Sequence, residues 1–298
     1  MPTHEGTTLT DRFAHLIKRH PCLGVEGHFS NGRIHLPVSP ACNIQCRFCK
    51  RSCNKTEERP GVSRTILAPH DAVDVVTRAL ALCPDITVAG IAGPGDTLAT
   101  PQALETFRLI HRQFPHLILC MSTNGLCLPE SAEDIVSAGV ETLTVTVNAI
   151  DPYIQAQICR AIHYHGEDYT GERAAEILIN AQLTGIKRLA ELGVLIKINS
   201  VLVPGVNDGH IAEVARLTAA HGATMINIIP LIPQHEFAHI PVPSCDELNR
   251  VRHEAAQYLS VFRHCRQCRA DACGIPGRGV DFAAQLYQHQ EPMTFSHG

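Results

Sequence analysis

Short β-branched runs alternate along the chain with helical stretches. The runs Arg33–Ser39, Ile86–Ile91, Leu117–Ser122, Thr142–Val147, Val194–Val203 and Thr224–Ile229 predict strands. Between them Pro69–Leu82, Pro101–Phe114, Pro129–Ala138, Arg173–Leu192 and Gly209–His221 predict helices, with a last one near Cys245–Ser260. Near-continuous apolar strands separated by helices predict parallel pairing with both faces covered. Six βα units fit an α/β fold, a partial (β/α)6 TIM-type barrel with its chemistry at the C-terminal ends of the strands. A doubly wound open sheet is the alternative. Residues 33–262 then form the barrel, flanked by an N-terminal extension, 1–32, and a C-terminal extension with a tail, 263–298. The tail after Cys273 opens with Gly274-Ile275-Pro276-Gly277 and is expected to be loosely ordered.

The 298 residues suffice for one large α/β domain or two small ones, and 45% hydrophobic content supports a sizeable core. A net charge of -4 with no Lys/Arg run argues against a nucleic-acid partner. No stretch approaches the ~20 apolar residues of a membrane span. Met1 to Pro21 lacks the apolar region of a signal peptide, so a cytoplasmic location is expected. A monomer is expected as well. The 13 cysteines of such a chain argue for metal ligation rather than disulfides. Most of the 18 histidines, among them His70, His111 and His253, are expected at the surface.

Cys42, Cys46 and Cys49 form a C-x3-C-x2-C triplet. Three thiolates can hold three irons of a 4Fe–4S cube and leave the fourth open to a ligand. Zinc sites more often present C-x2-C pairs with four ligands in all, so the odd, unequal triplet fits zinc less well. The spacing resembles that of radical S-adenosylmethionine (SAM) enzymes, in which the open iron chelates the amino and carboxylate groups of SAM. A structural metal knuckle is the plainer alternative.

A simple enzyme of that kind needs three cysteines, and this chain carries a second layer. Cys22 and Cys53 lie near the triplet in sequence, Cys120 lies at a predicted strand end, and Cys265-x-x-Cys268 has a spacing common in Fe–S or zinc ligation. Together they have the makings of one or two further clusters. Cys83, Cys159 and Cys245 are expected to be small buried hydrophobes, as is Cys127; Cys273 follows the terminal pair closely and is read mainly in the same way.

Several segments together resemble one family. They are His20-Pro21-Cys22, Arg33-Ile34-His35-Leu36-Pro37-Val38, the triplet itself, and Arg59-Pro60-Gly61-Val62. Gly90-Ile91-Ala92-Gly93-Pro94-Gly95-Asp96, Ser122-Thr123-Asn124-Gly125-Leu126 and Thr144-Val145-Thr146-Val147-Asn148-Ala149 follow, and Cys265-Arg266-Gln267-Cys268-Arg269-Ala270-Asp271-Ala272 closes the series. In this order, from about His20 to Gly274, they resemble the NifB family, radical SAM enzymes that build the core of the nitrogenase cofactor. The resemblance implies a SAM-binding 4Fe–4S cluster on Cys42, Cys46 and Cys49 and two further 4Fe–4S units, fused into an eight-iron precursor with a central carbide. One SAM supplies the methyl carbon and a second supplies the radical that activates it.

Residue by residue, the resemblance assigns Cys22, Cys53, Cys120, Cys265 and Cys268 to the two further clusters. Either His28 or His35 is the nitrogen ligand, and Glu57 is a nearby carboxylate otherwise read as a solvated charge. Gly93 and Gly95 would let the backbone approach SAM closely, since no side chain clashes, and Asp96 would accept from its ammonium. Ser122, Asn124, Asn148 and Asn199 would meet its ribose and carboxylate, each equally readable as a turn or strand-end hydrogen bond, and Ile229 would flank the adenine. The chain departs from the family where Cys49 to Arg59-Pro60-Gly61 is one residue shorter and where Leu23-Gly24 replaces more polar residues. Longer members append a NifX-type domain, so here cluster donors and a separate carrier or assembly scaffold are the expected partners. A radical SAM enzyme whose auxiliary cluster anchors an organic or peptide substrate, and a non-enzymatic Fe–S scaffold, are the alternatives.

Overall fold

A computed structural model describes residues 12–287; the outer parts of both expected extensions, 1–11 and 288–298, lie outside the described residues. The strands, in chain order, are β1 (Gly32–His35), β2 (Ile44–Cys46), β3 (Ser52–Cys53), β4 (Val62–Ser63), β5 (Ile86–Ile91), β6 (Ile118–Thr123), β7 (Val140–Thr146), β8 (Cys159–Tyr164), β9 (Glu167–Thr170), β10 (Leu195–Leu202), β11 (Met225–Pro230), β12 (Ser260–Val261) and β13 (Cys273–Gly274). All six predicted strands are present, within a few residues of the predicted bounds. The main sheet runs β12-β11-β10-β7-β6-β5-β1-β13, parallel except for β13, which is antiparallel to β1. Spatial order follows chain order from β1 to β12 without reversal. A doubly wound sheet would reverse at a switch point; successive right-handed crossovers in one direction curl the sheet into a partial barrel instead.

Each barrel strand carries two different faces. Ile34, Ala89, Leu119, Met121, Leu143, Val145, Ile196, Ile198, Ile226 and Ile228 point outward into the main core with the helices. The alternate positions, among them His35, Gly90, Cys120, Ser122, Thr144, Lys197, Asn199 and Asn227, line the interior. Side chains alternate across a strand, so one apolar run hides an inner row of polar groups. Phe13, Leu16 and Leu23 close the floor against Val88, Ile118, Leu195 and Met225. The N-terminal segment is therefore a plug that brings Cys22 and His20 to the bottom of the interior.

The expectation of a loosely ordered tail is corrected over its described part. Cys273–Gly274 extends the sheet beside β1, and the Phe282 N–H donates to the Cys273 carbonyl at 2.7 Å. Leu286 and Tyr287 are buried, and Arg78 of the helix Pro69–Leu82 donates to the Leu286 carbonyl. Long-range burial outweighs the local Gly and Pro signals. Cys245 is also corrected: it is exposed, because it opens the helix Cys245–Ala255 on the solvent side of a Ser244 and Glu247 capping box. Cys83, Cys159 and Cys273 are buried as expected, Cys127 is partly buried, and His70, His111 and His253 are exposed.

The C-terminal run is anchored by an ion cluster. Fully buried Asp271 accepts from Arg269 Nε at 2.8 Å and from the Arg64 N–H at 2.6 Å, while Arg269 also donates to the Asn54 carbonyl at 2.7 Å. Asp271→Ala should destabilise the chain by about 3–5 kcal/mol, because it leaves buried Arg269 uncompensated. Chemical denaturation measures this, and an unchanged midpoint would show that the arginines are held without Asp271.

Candidate active site

The triplet lies in the crossing from β1 to β5, and three neighbours stake it. Strand β2 pairs with β8 of a hairpin, placing Cys46 opposite Cys159, and the Arg47 N–H donates to the Ile158 carbonyl at 2.9 Å. Phe48 packs against Val203, Leu231 and Phe237. The loop after β5 clasps the other side, with the Gly95 N–H on the Ser39 carbonyl and the Asp96 N–H on the Ala41 carbonyl, each 2.8 Å. A Cβ on Gly95 would stand 2.0 Å from the Ala41 carbonyl oxygen. This glycine is thus required for contact with the residue before Cys42, a different close approach from the one expected.

Burial keeps the triplet protonated in the empty chain. Cys42 is pushed up to about 11 and Cys49 is raised, both mainly by burial. Cys46 is raised first by its hydrogen bond to Cys159 and then by burial. The half-buried Arg51 guanidinium faces all three sulfurs and Asp96. Such thiols suit a metal group, which deprotonates its ligands outright. No three His, Cys, Asp or Glu side chains among the described residues converge on one metal ion. A cube asks for something else, since each of its thiolates binds a different iron.

A cavity of about 310 Å³ runs from Cys46 and Cys49 down to the plug, within the range of small-molecule sites. At its lower end Cys22 faces Cys268 and Cys120, with Arg33 and Lys197 alongside, and burial pushes the Cys22 thiol up to about 12. Arg33 Nη2 donates to Cys268 Sγ at 3.1 Å and Nη1 to the Gly274 carbonyl at 2.7 Å. Lys197 Nζ donates to the Cys22 carbonyl at 3.3 Å and lies 5.6 Å from the Phe262 ring centre. His35, Gly90 and Cys120 are in register across β1, β5 and β6. Gly90 has no side chain, so the His35 ring lies over it, and burial lowers that ring's pKa to about 4. His28 and Cys265 also line the wall.

The other predicted positions divide. Asp96, Gly95, Ser122, Asn124, Asn148, Asn199 and Ile229 line the upper cavity. The Asp96 carboxylate accepts from Thr123 Oγ1 at 3.0 Å, the Asn124 N–H at 2.6 Å and the Leu98 N–H at 3.0 Å, which ties it to the end of β6. Asn124 Nδ2 donates to Asn43 Oδ1 at 2.7 Å, and Asn148 Oδ1 accepts from the Val201 N–H at 2.9 Å. Gly93 lies behind the wall against Ala270. Cys53 and Glu57 lie outside the wall as well: Cys53 Sγ faces Ser63 Oγ at 3.9 Å, and Glu57 Oε2 accepts from Arg59 Nε at 2.7 Å.

Residues absent from the sequence reading complete the lining. Gln155 Oε1, Gln182 Oε1 and Asn227 Oδ1 are buried acceptors with no hydrogen-bond partner among the described residues, and all three residues line the cavity. Buried acceptors of this kind call for donors from a ligand. The ammonium, ribose hydroxyls and adenine amine of SAM are such donors, so the residues present fit that group. Lys197 and His20 also line the cavity; Lys197 and Asn199, alternating with Ile196 and Ile198 in β10, mark its inner face.

Residues 36–218 match the Radical SAM superfamily. The chain is 46% identical to the FeMo cofactor biosynthesis protein NifB of Methanocaldococcus infernus, over 89% of this chain and 88% of that one. It is 44% identical to the protein of the same name from Klebsiella pneumoniae, over 97% of this chain and 63% of that longer one. Among solved structures, a radical SAM methyltransferase from Sphaerobacter thermophilus overlays with TM-score 0.57 at 19% identity, over 80% of this chain and 69% of that one. Streptococcus suis SuiB bound to S-adenosylmethionine gives 0.58 at 14% identity, over 86% and 55%. These two establish the shared fold.

Proposed function

The chain belongs to the NifB family of the radical SAM superfamily, enzymes of FeMo cofactor biosynthesis, and on that premise we propose that it converts two 4Fe–4S units into an eight-iron, carbide-containing precursor. SAM serves as methyl donor and radical source, and the two 4Fe–4S units are substrate. The observation that carries the reading is a single cavity joining the triplet to a second set of thiols and cations, Cys22, Cys120, Cys268, Arg33 and Lys197.

Cys42, Cys46 and Cys49 would hold the resident cluster. When bound, that cluster supplies an open iron for SAM and the electron for its reductive cleavage. Arg51 balances the charge of the three thiolates. Gln155, Gln182 and Asn227 orient SAM through their open acceptors, while Asp96 holds the strand end that carries Ser122 and Asn124. At the lower end Cys22, Cys268 and Cys265 take one substrate unit, and Cys120 with His35 takes the other. Both His28 and His35 place Nδ1 on a carbonyl and leave the Nε2 lone pair for iron; His35 is favoured because it shares the register of Cys120. The loop holding Cys53 and Glu57 is linked to His35 through Arg269, which donates to the Asn54 carbonyl at 2.7 Å while its own carbonyl meets His35 Nδ1, and would close on a loaded unit. A separate carrier or assembly scaffold would receive the product.

Iron and sulfide analysis after anaerobic reconstitution tests this reading. About twelve irons per chain are expected, four for each of three cubes, together with an EPR signal that changes when SAM is added. One cube per chain would sink the proposal, while a spectrum indifferent to SAM would remove the open iron from it.

A further inference from the structure

Four histidines line the cavity, His20, His28, His35 and His264, and backbone contacts set opposite tautomers among the first three. His28 and His35 direct Nδ1 at the carbonyls of Pro21, at 2.9 Å, and Arg269, at 3.1 Å. A carbonyl only accepts, so Nδ1 carries the proton and Nε2 keeps its lone pair. His20 is reversed. The Cys22 N–H donates to His20 Nδ1 at 3.0 Å, so the lone pair is on Nδ1 and the neutral ring's proton is on Nε2.

That Nε2–H has no hydrogen-bond partner among the described residues, and His20 is only 2% exposed. With its Nδ1 lone pair taken by the Cys22 N–H, the ring is neutral. A buried donor without an acceptor is rare in a native protein and points to a group that arrives later. Iron is not that group, since ligation through Nε2 needs the lone pair that the Cys22 amide fixes on Nδ1. The backbone that carries the ring is also held in place. The Leu23 N–H donates to the His20 carbonyl at 3.2 Å, and a Cβ on Gly27 would stand 2.8 Å from the same oxygen. The donor is thus bound to the backbone of Cys22 and moves with that ligand.

We infer that His20 donates its Nε2–H to a sulfide of the iron–sulfur unit held through Cys22 and thereby raises that unit's reduction potential. The inference rests on the reading of the lower cavity given above. An N–H at a bridging sulfide stabilises the more electron-rich reduced state, and hydrogen bonds to sulfur are among the recognised determinants of cluster potential. His20 is on this account a positioning and tuning residue. It is distinct from the ligands.

The test uses the full chain with Cys42, Cys46 and Cys49 all changed to Ala, so that only substrate units load from iron(II) and sulfide. EPR-monitored redox titration then compares this parent with added His20→Phe or His20→Gln. His20→Phe keeps the ring's bulk and removes the donor, and a tenfold lower reduced-to-oxidised ratio is expected at a given potential, about 59 mV for a one-electron couple. His20→Gln restores an N–H and should recover most of the shift. Pulsed EPR should show the same strong nitrogen coupling in parent and His20→Phe, because His20 is not a ligand. A folded His20→Phe chain that loses the unit while His20→Gln keeps it also supports a donor; if Phe does not fold, His20→Met takes its place. Equal potentials in all loaded chains overturn the inference alone, as does loss of the nitrogen coupling or of the unit from both variants. A parent that takes up no iron overturns the reading of the cavity, and the inference with it.

Discussion

Cys46→Ala should reduce 5′-deoxyadenosine formation to background while the empty chain stays folded. The triplet offers one thiolate to each of three irons, and the fourth iron is open only if all three ligands are present. Cys46 is the member held most firmly, on β2 opposite Cys159, with the Cys49 N–H donating to its carbonyl at 3.0 Å. Removal of its sulfur leaves those backbone contacts intact, so the thermal midpoint should change little. The neighbour gives an internal control. Cys159→Ala removes the hydrogen-bonding partner of Cys46 but none of the three ligands, and should keep SAM cleavage. Product analysis by chromatography decides the matter. Turnover that survives Cys46→Ala would move the SAM site elsewhere, and turnover lost equally in Cys159→Ala would make Cys159 part of it.

The triplet was legible because its meaning is local, three cysteines in one loop with unequal gaps. The strands were legible because their outward positions are apolar, as at Ile196 and Ile198. What those runs concealed was the inner row. Lys197 and Asn199 stand inside the run Val194–Val203, and a count by alternate positions separates them from their neighbours. Other features depend on partners distant in sequence. The hairpin Cys159–Thr170 carries polar and aromatic residues on short strands, and its first strand finds its place by pairing with Ile44–Cys46. Tyr287 is buried through contacts near His35, some 250 positions away, with its hydroxyl 3.5 Å from the His35 carbonyl. Gln155 and Gln182 lie on helices, where only the fold reveals that their amides face a cavity. His20 is the opposite case. Its decisive contact is two residues away, but ring orientation is a coordinate and not a pattern.

Lys197→Met should stabilise the empty chain and at the same time deprive it of iron. The ammonium is buried at 6% exposure on the inner face of β10. Its contacts are one carbonyl, at 3.3 Å, and the face of Phe262, and no carboxylate pairs with it among the described residues. Such a charge is stripped of water with little in return, and an apolar side chain of similar length should gain about 1–4 kcal/mol in the empty state. Loading reverses the balance. Thiolate-bound iron–sulfur units carry negative charge, and in the lower cavity Lys197 and Arg33 are the cations beside Cys22. Without one of them the countercharge falls, and iron content should drop by about one cube, four irons per chain. Lys197→Arg keeps the charge and should retain the iron. Denaturant midpoints of the empty chains and iron analysis of the reconstituted ones give the two readings. General damage lowers both together, so opposite signs identify a cation kept for what the cavity receives. If stability and iron fall in parallel, Lys197 is part of the scaffold; if iron is retained, the lower cavity needs no such countercharge.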